Sequence, residues 1–262
     1  MSLLYNGSMF KTQYTEVDML ISELCETLKA ALGSNLKGLY LFGSLIGGDF
    51  DEQKSDIDLL AIVENVISES ELQKLKEAHE LFVTNHPHWD NRVEVTYVSV
   101  AGMKHFKSMP NKIARISPGE DLHYREMDID WLMDWHMVQV QGQTILGPPP
   151  ETYIPHITKE EYVQSIRKIL LQHEASANQA RHKGYQSYIV MSFCRNLYVI
   201  KHGKQVSKIA GARWASKRYP DWANFINEAT EWRGLADKSD SPETQKQTIK
   251  FTKFAMKESR RL

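Results

Sequence analysis

The sequence predicts an α+β protein: a mixed sheet flanked by helices, followed by an all-helical bundle. Three observations carry this. Every short run of strand-forming residues falls before residue 150. The run Gly147-Pro-Pro-Pro150 ends regular structure there, because proline lacks the N–H that a ladder or helix needs. The patterned segments beyond it repeat at the three- and four-residue steps of helices.

Val17, Leu20, Ile21, Leu24, Leu28 and Leu32 form one apolar helical stripe, with Gly33 as its C-cap. Gly38 to Phe42 is a short apolar strand running into the turn Gly43-Ser44, and the following loop holds Gly47, Gly48, Asp49 and Asp51. Ile57 to Val63 is a second strand, interrupted only by Asp58. Ser68-Glu-Ser-Glu71 is a capping box opening a helix to about Thr84. Arg92 to Val98 is a third strand, with Val93, Val95 and Tyr97 on one face and Glu94, Thr96 and Val98 on the other. Ile113 to Asp130, with mixed charges around Pro118-Gly119, is expected to be a loop-rich connection, and Gln143 to Leu146 an edge strand before the prolines. Thr158-Lys-Glu-Glu161 is a second capping box, and Tyr188 to Ile200 is a nearly all-apolar helix that has to be buried. Helices are also expected at Ser207–Arg218, Asp221–Trp232 and from Pro242. The division falls into domains 1–157 and 158–262.

The 262 residues are 42% hydrophobic, enough for real cores. Lys plus Arg total 32 against 33 for Asp plus Glu, so no charge bias marks a nucleic-acid binder. Cys25 and Cys194 have no CxxC neighbour, which excludes a disulfide framework and a cysteine zinc site; His86, His88, His123, His136 and His156 lack the spacing of a helical metal site. Met1 to Phe10 lacks the pattern of a signal peptide, and no apolar run reaches the roughly 18 residues of a membrane span. A soluble, cytoplasmic monomer without a membrane partner is expected.

Chemistry converges on Gly43-Ser44 at one strand end, Asp56-Ile57-Asp58 at the next strand's start, and Glu94 in the third. Asp56 and Asp58 share a face, about 7 Å apart along the strand. Two carboxylates so spaced suit a hard divalent cation, a third completes a cluster that would otherwise repel itself, and magnesium fits an all-oxygen set. Gly43 allows close backbone approach, and Ser44 with the loop amides can bond phosphate oxygens. Each residue alone has a plainer explanation. A lone DxD is usually a solvated turn, and an acid such as Glu94 often faces water at a sheet edge. Arg195 can pair with a structural carboxylate, Lys208 can be a solvated first-turn residue, and Trp232 falls on the apolar side of its helix.

The strings Leu41-Phe-Gly-Ser44, Gly47-Gly48, Ser55-Asp-Ile-Asp58 and Val93-Glu-Val-Thr96 resemble the nucleotidyltransferase superfamily signature. The helix carrying Arg195, then Gly203-Lys-Gln-Val-Ser-Lys208 and Arg213-Trp-Ala-Ser-Lys-Arg218, narrow the resemblance to aminoglycoside adenylyltransferases. It implies an N-terminal nucleotidyltransferase domain, with Asp56 and Asp58 holding two Mg2+ ions on the triphosphate of ATP. It also implies that Gly43, Ser44 and Ser55 approach the phosphates, that Glu94 is the general base, and that Arg195, Lys208 and Trp232 contact the nucleotide. AMP would pass to a hydroxyl of a small aminoglycoside or aminocyclitol-like acceptor, releasing pyrophosphate. Family members that accept streptomycin carry a tryptophan and acids before the Arg195 helix. Here Gln172 to Ser187 has no tryptophan, Arg181 and Tyr185 stand nearest the acid positions, and Glu174 is its one acid, so the resemblance favours spectinomycin over streptomycin. A protein or other non-antibiotic acceptor, or a non-catalytic nucleotide-binding or antitoxin-like module, is the alternative.

Overall fold

The computed structural model describes residues 11–127, 131–235 and 239–262; the segments 1–10, 128–130 and 236–238 lie outside it. Two compact units emerge, one from residues 1–129 and 137–156, the other from 130–136 and 157–262. No helix among the described residues is long and apolar enough to cross a membrane.

In the first unit, the stripe expected from Val17 onward becomes α1 (Thr15–Leu32), with all six stripe residues buried. The strands are β1 (Leu36–Phe42), β2 (Ile57–Val63), β3 (Val93–Ser99), β4 (Asn111–Ser117), β5 (Glu120–Met127) and β6 (Gln143–Leu146). A four-residue helix, α2 (Ser44–Gly47), follows β1, and α3 (Glu69–Asn85) links β2 to β3. The strand order is β5-β4-β3-β2-β1-β6. Among the described residues only β2 and β3 run parallel, and α3 supplies the crossover that a parallel pair requires. It opens with the expected capping box: Ser68 accepts from the Glu71 N–H and Glu71 accepts from the Ser68 N–H.

The segment Ile113–Asp130 is a correction. Its described residues form the antiparallel hairpin β4–β5, and the charges that suggested a loop, Arg115 apart, are solvent-facing residues of strands at the sheet edge. Pro118-Gly119 is the hairpin turn, with Gly119 at φ 81°. Two further helices, α4 (Val100–His105) and α5 (Leu132–Gln141), also lie where no element was expected.

Alternation divides the sheet. Leu39, Leu41, Leu59, Ala61, Val63, Val95 and Tyr97 join the core with α1 and α3. Asp58, Leu60, Glu94 and Thr96 therefore project from the opposite face. Below the sheet, His79 and Tyr97 share a hydrogen bond of 2.8 Å between Nε2 and the hydroxyl.

The second unit is helical: α6 (Lys159–Ala177), α7 (Lys183–His202), α8 (Lys208–Arg218), α9 (Ala223–Glu231) and α10 (Pro242–Ser259). The capping box at Thr158 forms as expected. α7 packs against the other four and is largely buried. Gly211 sets the α7–α8 approach, since a Cβ there would meet the Arg195 Cα and N at 2.5 and 2.7 Å. Trp222, Phe225, Phe251 and Phe254 interlock on the α9–α10 side.

Two outcomes follow. Gly211→Ala should separate α7 from α8 and destabilise the protein by about 1–3 kcal/mol, read by urea unfolding. Burial holds His79 at about 4, below the ordinary histidine value, so the unfolded chain takes up its proton first as pH falls. Its contribution is intact above about pH 6.5 and is lost between there and about pH 4, at most about 3 kcal/mol. Unfolding at stepped pH should show this slope, and His79→Phe should flatten it.

Candidate active site

The strand registers build the site. Antiparallel pairing sets Phe42 of β1 against Asp58 of β2, and parallel pairing sets Asp58 against Glu94 of β3. The turn after β1 and the two acids thus stand in one row at one end of the sheet. Asp56 lies on the same side of its chain as Asp58, two residues away. Carboxylate oxygens of Asp56, Asp58 and Glu94 all lie within 4.8 Å of one another, and all three residues are half-buried. Like charges this close need a cation, and an all-carboxylate set suits a hard divalent one.

Gly43 has φ 75° and ψ −149°, a conformation for glycine alone, and a Cβ there would overlap the Asp58 carboxylate. The next residue, Ser44, has a buried hydroxyl with no hydrogen-bond partner. A buried hydroxyl left so is costly in water-free surroundings, and a ligand oxygen would satisfy it. Ser55 is buried, and its hydroxyl accepts from the Asp51 N–H at 3.0 Å, closing the loop that delivers Asp56.

Two arginines that sequence reasoning passed over frame the acids. Arg92 donates to the Ser55 carbonyl from Nε at 3.0 Å and Nη2 at 2.6 Å, donates to the Glu52 carbonyl at 2.7 Å, and stacks on Trp89. Burial lowers its pKa while the charges of Asp56 and Asp51 oppose that shift. Arg115 of β4 donates from Nη2 to Glu94 Oε1 at 2.7 Å. Nothing local in the sequence marks Arg115, because its partner lies across a strand pairing in a segment read as loop.

In the second unit, Arg195 and Lys208 share a neighbourhood. Burial first, then the charges of Arg195 and Lys208, hold His173 neutral with a pKa of about 4. The Lys208 ammonium lies 4.5 Å from the Tyr188 ring centroid. Ser207 caps α8 by accepting from the Ala210 N–H, which fixes Lys208 in the first turn. Trp232 stands apart: only 8% exposed, it packs on Phe225 and under Lys183, and Lys183 is about 18 Å along α7 from Arg195.

The overlap at Gly43 gives a direct test. Gly43→Ala should push the Asp58 carboxylate aside and weaken Mn2+ binding at least tenfold by electron paramagnetic resonance titration; unaltered binding would mean that the carboxylate has room to move.

Residues 18–116 match the nucleotidyltransferase domain model, and residues 152–258 match the model described as aminoglycoside adenylyltransferase, C-terminal domain. Among solved structures, the chain is similar to spectinomycin adenyltransferase AAD(9) from Enterococcus faecialis, solved with ATP and spectinomycin. The TM-score is 0.75 at 17% identity, over 91% of this chain and 98% of that one. That likeness shows a common fold along nearly the whole length of both chains. With a nucleotidyltransferase domain carrying the acidic triad and the characteristic helical domain after it, the chain belongs to the aminoglycoside adenylyltransferases of the nucleotidyltransferase superfamily.

Proposed function

We propose that this enzyme moves AMP from ATP to a hydroxyl of an aminocyclitol-like acceptor, spectinomycin in preference to streptomycin, and releases pyrophosphate. The observation that carries the proposal is the register-built triad Asp56, Asp58 and Glu94 beside the Gly43-Ser44 turn.

The donor set fits magnesium: three carboxylates, no nitrogen or sulfur, with an unpartnered hydroxyl next to them. Asp56 and Asp58 would hold two Mg2+ ions, which when bound neutralise the triphosphate and polarise its α-phosphorus. Gly43 leaves room for the Asp58 carboxylate against the backbone of the turn that the phosphates would approach, and Ser44 donates its hydroxyl to a phosphate oxygen. Ser55 shapes the loop under Asp56. Glu94 takes the proton from the acceptor hydroxyl as that oxygen attacks the α-phosphorus. The bond from the α-phosphorus to its bridging oxygen breaks, and pyrophosphate leaves. Arg195 and Lys208 are assigned to the phosphates and Trp232 to the nucleotide. For Trp232 a packing role also accounts for its near-complete burial.

The preference for spectinomycin rests on the segment that leads into α7 and on its first turns. Arg181 and Tyr185 stand nearest the positions where streptomycin-accepting members place acids, and Tyr185 stacks on Tyr188 with centroids 6.0 Å apart. AAD(9), solved with ATP and spectinomycin, supports the same choice of acceptor.

Pyrophosphate release with ATP and magnesium, run against a panel of aminoglycosides, tests this. Release is expected with spectinomycin and not with streptomycin, and Asp58→Asn should lower kcat at least about a hundredfold with an unchanged melting point. A fully active Asp58→Asn enzyme would sink the assignment. Activity with streptomycin alone would overturn the acceptor choice and keep the chemistry.

A further inference from the structure

We propose that Arg115 is a positioning residue for the general base: its guanidinium holds the Glu94 carboxylate in its reactive orientation and offsets one of the three clustered negative charges. The inference rests on the adenylyl-transfer reading above and adds to it a residue from outside the signature segments.

The placement follows from the hairpin register. β4 pairs antiparallel with β3 so that Arg115 opposes Thr96. Glu94 is two residues from Thr96 on the same face, which makes Arg115 and Glu94 diagonal neighbours within reach of a long side chain. The resulting contact is a charge-assisted hydrogen bond of 2.7 Å from Nη2 to Oε1. The two side chains are only 19% and 14% exposed, so water and salt screen the pair far less than they screen the surface pair of Lys246 and Glu243. β3 is an interior strand, paired with β2 on one side and β4 on the other, so Glu94 is not an edge residue with a solvated guanidinium nearby. It is an acid fixed from one side by Arg115 and facing Asp56 and Asp58 on the other.

This arrangement separates two jobs among three carboxylates. Asp56 and Asp58 come from the segment entering β2, whereas Glu94 comes from β3 and carries the Arg115 hydrogen bond. A guanidinium on Glu94 offsets its negative charge and limits its rotation toward the other two. Groups that orient a reacting side chain in this way typically alter rates by about 10–100-fold when removed. A merely structural role, pinning the hairpin to the sheet, would act on stability instead.

Arg115→Met and Arg115→Lys separate these roles. Arg115→Met should lower kcat about 10–100-fold while KM for ATP stays within about threefold. Without ATP, its affinity for Mn2+ should rise several-fold by electron paramagnetic resonance, because a positive charge has left the cluster. Lower turnover with tighter metal is a pairing that structural damage does not produce. Arg115→Lys keeps the charge with one donor group, and should recover much of kcat and return Mn2+ affinity toward that of the unaltered protein. An Arg115→Met enzyme with kcat within twofold of the unaltered one, or with Mn2+ affinity and melting point falling together, would overturn the proposal. Asp58→Asn and Glu94→Gln run alongside distinguish the failures. If both are inactive and Arg115→Met is normal, only the role of Arg115 falls. If both turn over normally, the adenylyl-transfer reading falls and the role of Arg115 with it.

Discussion

Mutual repulsion among three carboxylates is the constraint that the first unit is built around. At an effective dielectric of about 20, unit charges about 4 Å apart repel by about 4 kcal/mol per pair, so the acids of the triad would move apart on flexible loops. They are held by strands that cannot slip. A one-residue shift of β2 would turn Leu59, Ala61 and Val63 out of the core with α1 and α3. The register that buries these residues is the same one that sets Asp58 against Glu94. The arginines act at the two flanks, Arg92 through the backbone that leads into Asp56 and Arg115 through the Glu94 carboxylate itself.

How far this was legible in the sequence depends on whether the causes are local. The capping boxes at Ser68 and Thr158 are complete within four residues, and both form as expected. The stripe of α1 and the apolar runs of β1, β2 and β3 declare their own burial, and with them the α+β class. The hairpin β4–β5 escaped because strands near a sheet edge carry Lys112, Arg115, Arg125 and Glu126 among few apolar residues, and because its turn, Pro118-Gly119, looks like a loop until its flanks are known to pair. α5 is short, with mixed Trp, His, Met and Gln in place of a clean stripe. Asp56, Asp58, Glu94 and Gly43 could be singled out because their types are costly in apolar strands or special in backbone. Arg115 could not, since an arginine in a charged segment is ordinary until a register 21 residues away gives it a partner.

The helical unit solves a different problem, that of closing the ends of long helices. Gln186, fully buried in α7, donates its side-chain amide to the carbonyls of Ala180, Arg181 and Ser241. The Ser241 N–H in turn donates to the Arg181 carbonyl. Arg167 of α6 reaches the Ser259 carbonyl at the last turn of α10. These bonds tie three chain segments around α7, the helix that carries Arg195. Gly211 then lets α8 approach that helix at Arg195 itself, which is how Lys208 comes into the same electrostatic neighbourhood.

The order of the strands has a consequence for the nascent chain. β6, made last, pairs with β1, made first, and the first unit is completed only by residues 137–156, after 130–136 have been assigned to the second. During synthesis β1 therefore keeps an unpaired row of N–H and C=O groups until Gln143 to Leu146 have cleared the ribosome. An open strand edge on an apolar sheet is where unwanted pairing with another chain begins, so the interval is one of exposure to aggregation. For the same reason the two units are not separable by a single cut in the chain, and a gene fragment ending before β6 would encode a sheet with that edge permanently open.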